Sequence, residues 1–334
     1  MKKQILTILK LLIPAGIIVW LLSALDRDQL GQLQARPKDW AKLGGAFALL
    51  FCVVCLSFFR WWVLVRALHL RFRLRDAFRL GFLGFLLNFV SVGSVGGDLF
   101  KAFFIAREQP GRRTEAVATV ALDRLVGLYG LLLVTSAAIL LSDIPQLSPA
   151  ISAICRTTLI VTAMGAAGVL IAMLPGFTRG SLIEFIVGLP HVGVTLERLI
   201  GSLRMYRSKP QVMVAAVAMS MGVHSLVVLS CYLIASALFP GTPTLREHFI
   251  IVPLANAAAG LPFTPAGLGS FEFAMALLYA HVPASGRRGV AGILVALAYR
   301  LMTIAVAAIG VVYYWTSRAE MRAAIRETEG RPGP

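Results

Sequence analysis

The chain has 334 residues, 58% of them hydrophobic and 14% charged, with a formal net charge of +16. Its mean hydropathy of +0.79 and its several apolar runs of about 20 residues exceed what a soluble core of this length could hide, which excludes a soluble globular domain and specifies an all-α polytopic membrane protein. The basic excess does not mark a nucleic-acid binder, because the Lys and Arg residues stand in short loops between apolar spans, as membrane topology requires.

Lys2, Lys3 and Lys10 precede an apolar run that reaches about Leu25. The run is long for a signal peptide and no clear small-residue cleavage site follows, so a retained first span with a cytoplasmic N-terminus is expected. Residues 26–42 carry nearly balanced charges and suit the outside. The second span, about 43–65, contains Cys52 and Cys55 in an apolar helix with no second pair, which reads as packed small residues and not a metal site. It ends in Arg60-Trp61-Trp62, where a side chain snorkelling beside interfacial tryptophans is expected for Arg60.

Arg66, Arg71, Arg73, Arg75 and Arg79 then place a loop in the cytoplasm. The apolar stretch from Leu80 is broken by Gly93, Gly96 and Gly97 and followed by the carboxylate Asp98, and a second basic loop with Lys101, Arg107, Arg112 and Arg113 comes next. A simple crossing would put that second loop outside, against the positive-inside bias. A re-entrant hairpin removes the conflict: in through residues 80–92, a turn at the glycines, and out through a helix from Leu99 to Arg107. An ordinary short crossing that departs from the charge bias is the alternative.

Residues 117–141 form a long outward span carrying Asp123 and Arg124. Charges inside a span cost about 2.5–3.5 kcal/mol each on the insertion scale, so partners are expected. Adjacent helical residues point about 100° apart, which directs the search to other segments. Asp98 is the leading partner for Arg124, in either a substrate site or a purely structural ion pair.

Residues 157–174 return inward. In the basic stretch after Pro175, Leu196, Leu199, Ile200 and Leu203 have helical spacing and suit an amphipathic helix on the cytoplasmic leaflet. Residues 212–238 cross outward. The apolar region 249–284 is cut by Pro253, Gly260, Pro262, Pro265, Gly267 and Gly269 and carries Asn256 and Glu272, which fits a second re-entrant hairpin entering from outside. A final span, about 289–315, carries Arg300 and runs inward to Arg318, Arg322 and Arg326.

The expected fold is therefore about six full spans plus two re-entrant broken-helix hairpins. The integral domain covers 1–316, with half-repeats 43–141 and 212–315, and a cytoplasmic tail covers 317–334. Asn88, the glycines, Asp98 and Arg124 in the first half correspond in order to Asn256, the glycines, Glu272 and Arg300 in the second. Because the two sets enter from opposite sides, the pattern is that of an inverted repeat, which transporters use to build a midplane site from broken helices.

At these residues the chain resembles the flippase-like transmembrane domain of the lysylphosphatidylglycerol synthases and its stand-alone relatives. The resemblance rests on Asn88 to Asp98 with its Gly-Gly-Asp, on Asp123-Arg124-Leu125-Val126-Gly127-Leu128, and on Pro265-Ala266-Gly267-Leu268-Gly269-Ser270-Phe271-Glu272. It implies a multi-pass protein of the bacterial inner membrane that moves a charged lipid between leaflets. The fused synthases carry a C-terminal aminoacyltransferase domain, and the sequence stops at Pro334 before any such domain. Stand-alone relatives are linked with glycolipid, polyprenyl-phosphate or hopanoid pathways, which leaves the lipid open.

The leading expectation is a lipid translocase whose substrate-binding residues are Asn88, Gly96, Gly97, Asp98, Asp123, Arg124, Asn256, Gly267, Gly269, Glu272 and Arg300. In it the arginines meet a lipid phosphate or balance the acids, the acids hold a basic headgroup or a coupling proton, and the asparagines bond the opened backbone. No metal, cofactor or nucleotide-binding phosphate loop is read from the sequence. The expected partners are membrane lipids that are anionic, aminoacylated or polyprenyl-phosphate-linked, together with a possible separate lipid-modifying enzyme. The alternatives are a membrane-embedded transferase on a polyprenyl-phosphate or phospholipid, with Asp98 or Asp123 as base, and an accessory subunit of a lipid-modifying enzyme.

Overall fold

The computed structural model describes residues 37–90, 96–142, 149–173, 201–260, 269–282 and 289–316. The expected first span, Gly93, Leu196 to Ile200, Pro262, Pro265, Gly267 and the 317–334 tail lie outside the described residues. The helices are α1 (Trp40–Ala67), α2 (Leu74–Val90), α3 (Gly96–Arg107), α4 (Arg113–Leu140), α5 (Pro149–Met173), α6 (Pro210–Leu238), α7 (Leu245–Ala259), α8 (Ser270–His281), α9 (Gly289–Ala307) and α10 (Ile309–Thr316).

Among the described residues, five stretches are long and apolar enough to cross a membrane: Trp40–Ala67, Arg113–Leu140, Ser152–Ile171, Pro210–Leu238 and Ala291–Trp315. These coincide with five of the six expected spans. Their outer faces carry Leu128, Met164, Val214 and Leu301, each at least half exposed. So much uncovered apolar surface on long helices suits hydrocarbon and not water. The protein is an all-α, multi-pass membrane protein.

Local signals set the helix starts. Asp39 caps α1, its Oδ1 accepting the Lys42 N–H at 3.1 Å. Pro210 opens α6 at a position whose N–H would have no helical partner. A capping box opens α7, where the Glu247 N–H donates to Thr244 Oγ1 at 3.3 Å and the Thr244 N–H to Glu247 Oε2 at 2.6 Å. Pro253, expected to help cut this region, lies inside α7 without ending it. Pro253 is buried, so that protein and not lipid covers the backbone group left without its helical partner.

Two short helix pairs are hairpins. Gln109 Nε2–H donates to the Arg71 carbonyl at 2.6 Å, and Arg79 Nη2 lies 3.4 Å from Glu108 Oε1. The segment holding α2 and α3 therefore begins and ends at one end of the bundle. Glycine makes this close pairing feasible: a Cβ on Gly97 would lie 2.0 Å from the Gly84 carbonyl oxygen. In α7 and α8, His248 Nε2 and Tyr279 Oη are 2.6 Å apart, again joining the start of one helix to the end of the next. The Thr244 carbonyl, 3.0 Å from His248 Nδ1, is an acceptor only. Nδ1 therefore carries the proton, and Nε2 accepts from the Tyr279 hydroxyl.

The long helices α1 and α6 pack antiparallel. The Asp39 N–H donates to the Ala237 carbonyl at 3.4 Å, Ser230 Oγ–H to the Ala46 carbonyl at 3.0 Å, and Arg60 Nη1–H to Ser220 Oγ at 2.7 Å. The α2–α3 hairpin opens at the end where α1 finishes and α6 starts, since Tyr206 Oη–H donates to the Leu64 carbonyl at 2.8 Å and the Lys209 ammonium bonds the Ala67 carbonyl. That end also carries Arg66, Arg71, Arg73, Arg75, Arg107, Arg112 and Arg113. Leu203 is buried there in the core with Trp61 and Leu64, covering protein and not lipid. The α7–α8 hairpin opens at the opposite end.

Helix neighbours also match in pairs when α1–α4 are exchanged for α6–α9. Thus α1 packs on α2 as α6 does on α7, α4 on α6 as α9 does on α1, and α4 on α7 as α9 does on α2.

Candidate functional site

Each hairpin ends its first helix with an asparagine and starts its second with an acid. Asn88 lies in the last turn of α2 and Asn256 in the last turn of α7. Asp98 is the third residue of α3 and Glu272 the third of α8. The unpaired N–H groups of a helix start favour a carboxylate there. Arg124 and Arg300 are each the twelfth residue of α4 and α9.

Tertiary packing brings each acid to its arginine. Arg124 Nε–H donates to Asp98 Oδ2, and Arg300 Nε–H donates to Glu272 Oε1 at 2.9 Å. The expected Asp98–Arg124 pairing is thus present. Asn88 Oδ1 accepts the Gly97 N–H at 2.9 Å, as expected for a side chain that bonds opened backbone. Glu272 Oε2 accepts the Gly269 N–H at 2.7 Å, and Gly269 has φ 85°, a left-handed conformation that favours glycine. Gly96 is the first residue of α3, and Gly267 lies outside the described residues.

The two halves differ in burial. Glu272 is 0% exposed and Arg300 11%, whereas the Arg124 side chain is 43% exposed and Asp98 16%. Both Glu272 oxygens are engaged by protein donors, so this carboxylate anchors Arg300 and the start of α8. Asp98 has a second cation: Lys101 Nζ lies 3.8 Å from its Oδ1. The Lys101 ammonium also stands 5.3 Å from the Trp61 ring centroid and 5.8 Å from that of Phe58.

Asp123 serves differently from its neighbour. Arg60 Nε–H donates to Asp123 Oδ1 at 2.8 Å, Arg60 Nη2–H to the Asp123 carbonyl at 3.3 Å, and Arg60 Nη1–H to Ser220 Oγ at 2.7 Å. Arg60 is buried, at 6% exposure, and does not snorkel to an interface. A carboxylate and a hydroxyl inside the bundle replace the water that its guanidinium would otherwise need. The sequence offered no direct signal for this pairing beyond an ionisable residue within each of two spans.

A cavity of about 320 Å³ lies between the halves. Asn88 and Arg124 line it from the first half, and Asn256 and Arg300 from the second. Ser57, Tyr299 and Thr303 add polar atoms, while Val53, Phe58, Phe85, Phe89, Phe271 and Val306 are among the apolar wall residues. No carboxylate belongs to the lining among the described residues: Asp98 and Glu272 hold the two lining arginines from outside it, and Asp123 pairs with Arg60, which is not in the lining either. The space therefore presents guanidinium and carboxamide groups in an apolar shell, an arrangement suited to a phosphate or another oxyanion.

The profile described as the lysylphosphatidylglycerol synthase TM region matches residues 7–310. The chain belongs to this family. Membership spans both hairpins and every described residue that lines the cavity, and ties the protein to a membrane-lipid function. No curated protein matches the chain.

Proposed function

We propose that this member of the lysylphosphatidylglycerol synthase transmembrane family is a lipid translocase, carrying a charged headgroup between the leaflets through the cavity between its halves. The observation that carries the reading is the convergence of Asn88 and Arg124 with Asn256 and Arg300 on one cavity. Antiparallel α1 and α6, paired helix neighbours and hairpins that open at opposite ends support an inverted repeat, with 43–141 and 212–315 as its halves. In that reading the hairpins are re-entrant, the arginine-rich end is cytoplasmic, and the bilayer is a bacterial inner membrane.

The volume favours a headgroup over a whole lipid. About 320 Å³ is at the small end of ligand sites and would hold a phosphate with a few attached atoms. Acyl chains would remain in hydrocarbon while the headgroup exchanged water for the arginines and asparagines. Alternating access would come from rocking one half against the other, with transport running downhill or coupled to an ion.

Leaflet exchange of headgroup-labelled lipids in proteoliposomes tests this. Anionic, aminoacylated and polyprenyl-phosphate lipids are compared for wild type and a folded Arg124→Gln variant. Selective exchange that the variant loses is the expected result. Wild type that moves none of them, but forms product from a lipid-phosphate donor, would replace the translocase by a transferase. Loss of association with a lipid-modifying enzyme as the variant's only defect would make it an accessory subunit.

A further inference from the structure

Among the described residues, the ion pairs within the spans and at the hairpins do not match one to one. Arg60 is matched by Asp123 and Arg300 by Glu272, but Asp98 is shared by Arg124 and Lys101. Among the described residues these ion pairs join four cations to three carboxylates, and the shared carboxylate is in the first half. The second half has no equivalent cation: three residues after Asp98 comes Lys101, but three after Glu272 comes Met275.

The placement of Lys101 is also specific. Its ammonium faces Trp61 and Phe58, and Phe58 itself lines the cavity. Gly84 makes room for the stem, since a Cβ there would lie 3.0 Å from Lys101 Cε. Arg124 and Lys101 take different oxygens of the Asp98 carboxylate, Oδ2 and Oδ1. The Lys101 contact, at 3.8 Å, is longer than a hydrogen bond and has room to tighten.

We propose that Lys101 is a positioning residue that gives the site its selectivity for anionic lipids, holding Asp98 when the Arg124 guanidinium turns toward a lipid phosphate. The inference rests on the translocase reading and adds the sign of the cargo and a division of labour between the halves. Arg300 is a fixed post, clamped to a fully buried Glu272. Arg124 is the moving one, and Lys101 keeps the carboxylate behind it from repelling the arriving anion.

The test is binding of short-chain phosphatidylglycerol and phosphatidylcholine to the purified full chain in detergent, with inorganic phosphate titrated in parallel. Wild type is compared with Lys101→Met, Lys101→Arg, Arg124→Gln and the double variant Asp98→Asn/Lys101→Met. Lys101→Met should weaken phosphatidylglycerol binding by about tenfold or more, as expected from losing one charge about 8–10 Å away at an effective dielectric constant of about 20. Phosphatidylcholine binding should change little. Lys101→Arg should behave like wild type, and the double variant, whose net charge is restored, should regain binding. Because a structural ion pair would tolerate both changes as well, the unfolding midpoint is read alongside. Lys101→Met should lose phosphatidylglycerol binding with a midpoint close to that of wild type, whereas a fall in midpoint that accounts for the lost binding would overturn the role of Lys101.

Phosphatidylglycerol bound equally by Lys101→Met and wild type, but lost in Arg124→Gln, would overturn the role of Lys101 and leave the cavity reading standing. Wild type without preference for phosphatidylglycerol, together with an unchanged Arg124→Gln, would overturn both. Inorganic phosphate bound as tightly as the lipid would overturn the lipid assignment.

Discussion

Replacing Arg60 by methionine keeps an unbranched apolar stem but removes the guanidinium, and leaves Asp123, a carboxylate 14% exposed, with its principal cation removed. The change deletes the contacts at 2.8 Å to Asp123 Oδ1, 3.3 Å to its carbonyl and 2.7 Å to Ser220 Oγ. Breaking one side of a buried pair costs about 3–5 kcal/mol, because the remaining charge is neither hydrated nor matched. A shift of about 2–4 °C per kcal/mol for domains of 150–250 residues then puts the fall in unfolding midpoint on the order of 10 °C. The assay is the fraction of protein that stays monodisperse after heating in detergent, compared at one heating rate because such unfolding is often irreversible. Replacing both partners, as Arg60→Met/Asp123→Leu, should recover most of the loss, since no orphan charge remains. A single variant within about 2 °C of wild type would refute the argument and show that water or another cation reaches Asp123.

Other outcomes follow from the same geometry. Gly97→Ala should separate α2 from α3, since its methyl would meet the Gly84 carbonyl oxygen at 2.0 Å and Asn88 Oδ1 at 2.6 Å. The cost should be at least about 1–3 kcal/mol, the usual range for overpacking, read by the same heating assay. Glu272→Gln should lower both stability and lipid exchange, because it weakens the clamp on Arg300; Arg124→Gln, at a 43% exposed side chain, should lose exchange with little change in unfolding midpoint. In a cysteine-free background, cysteines placed at Arg71 and Arg112 should be labelled from one side of the membrane and those at Gly241 and His281 from the other. Labelling of Arg71 and Arg112 from opposite sides would exclude the first re-entrant hairpin.

Much of the fold was legible because hydropathy and capping are local. Span positions follow from runs of apolar residues; the caps at Asp39, Pro210 and the Thr244–Glu247 box, not among the expectations above, are equally local features of the chain. The corresponding order of Asn, Gly, acid and Arg in the two halves, with acid-to-arginine separations of 26 and 28, was also visible in the chain. A charge within a span needs a partner wherever the helix packs, so the existence of ion pairs was fixed at this level.

Which charges pair, and which face the cavity, depends on how the helices are rotated and packed. Arg60 and Asp123 stand 63 residues apart, and only the packing of α1 against α4 and α6 makes them neighbours. Proline inside α7 likewise reads as a break until its surroundings are known. By itself, then, the sequence determined a multi-pass helical bundle with two acid–arginine sets. Tertiary structure alone decided that Arg124 and Arg300 face one cavity while Asp98 and Glu272, which hold them, stay out of its lining, because the direction of a side chain is set by the rotation of its helix against the others.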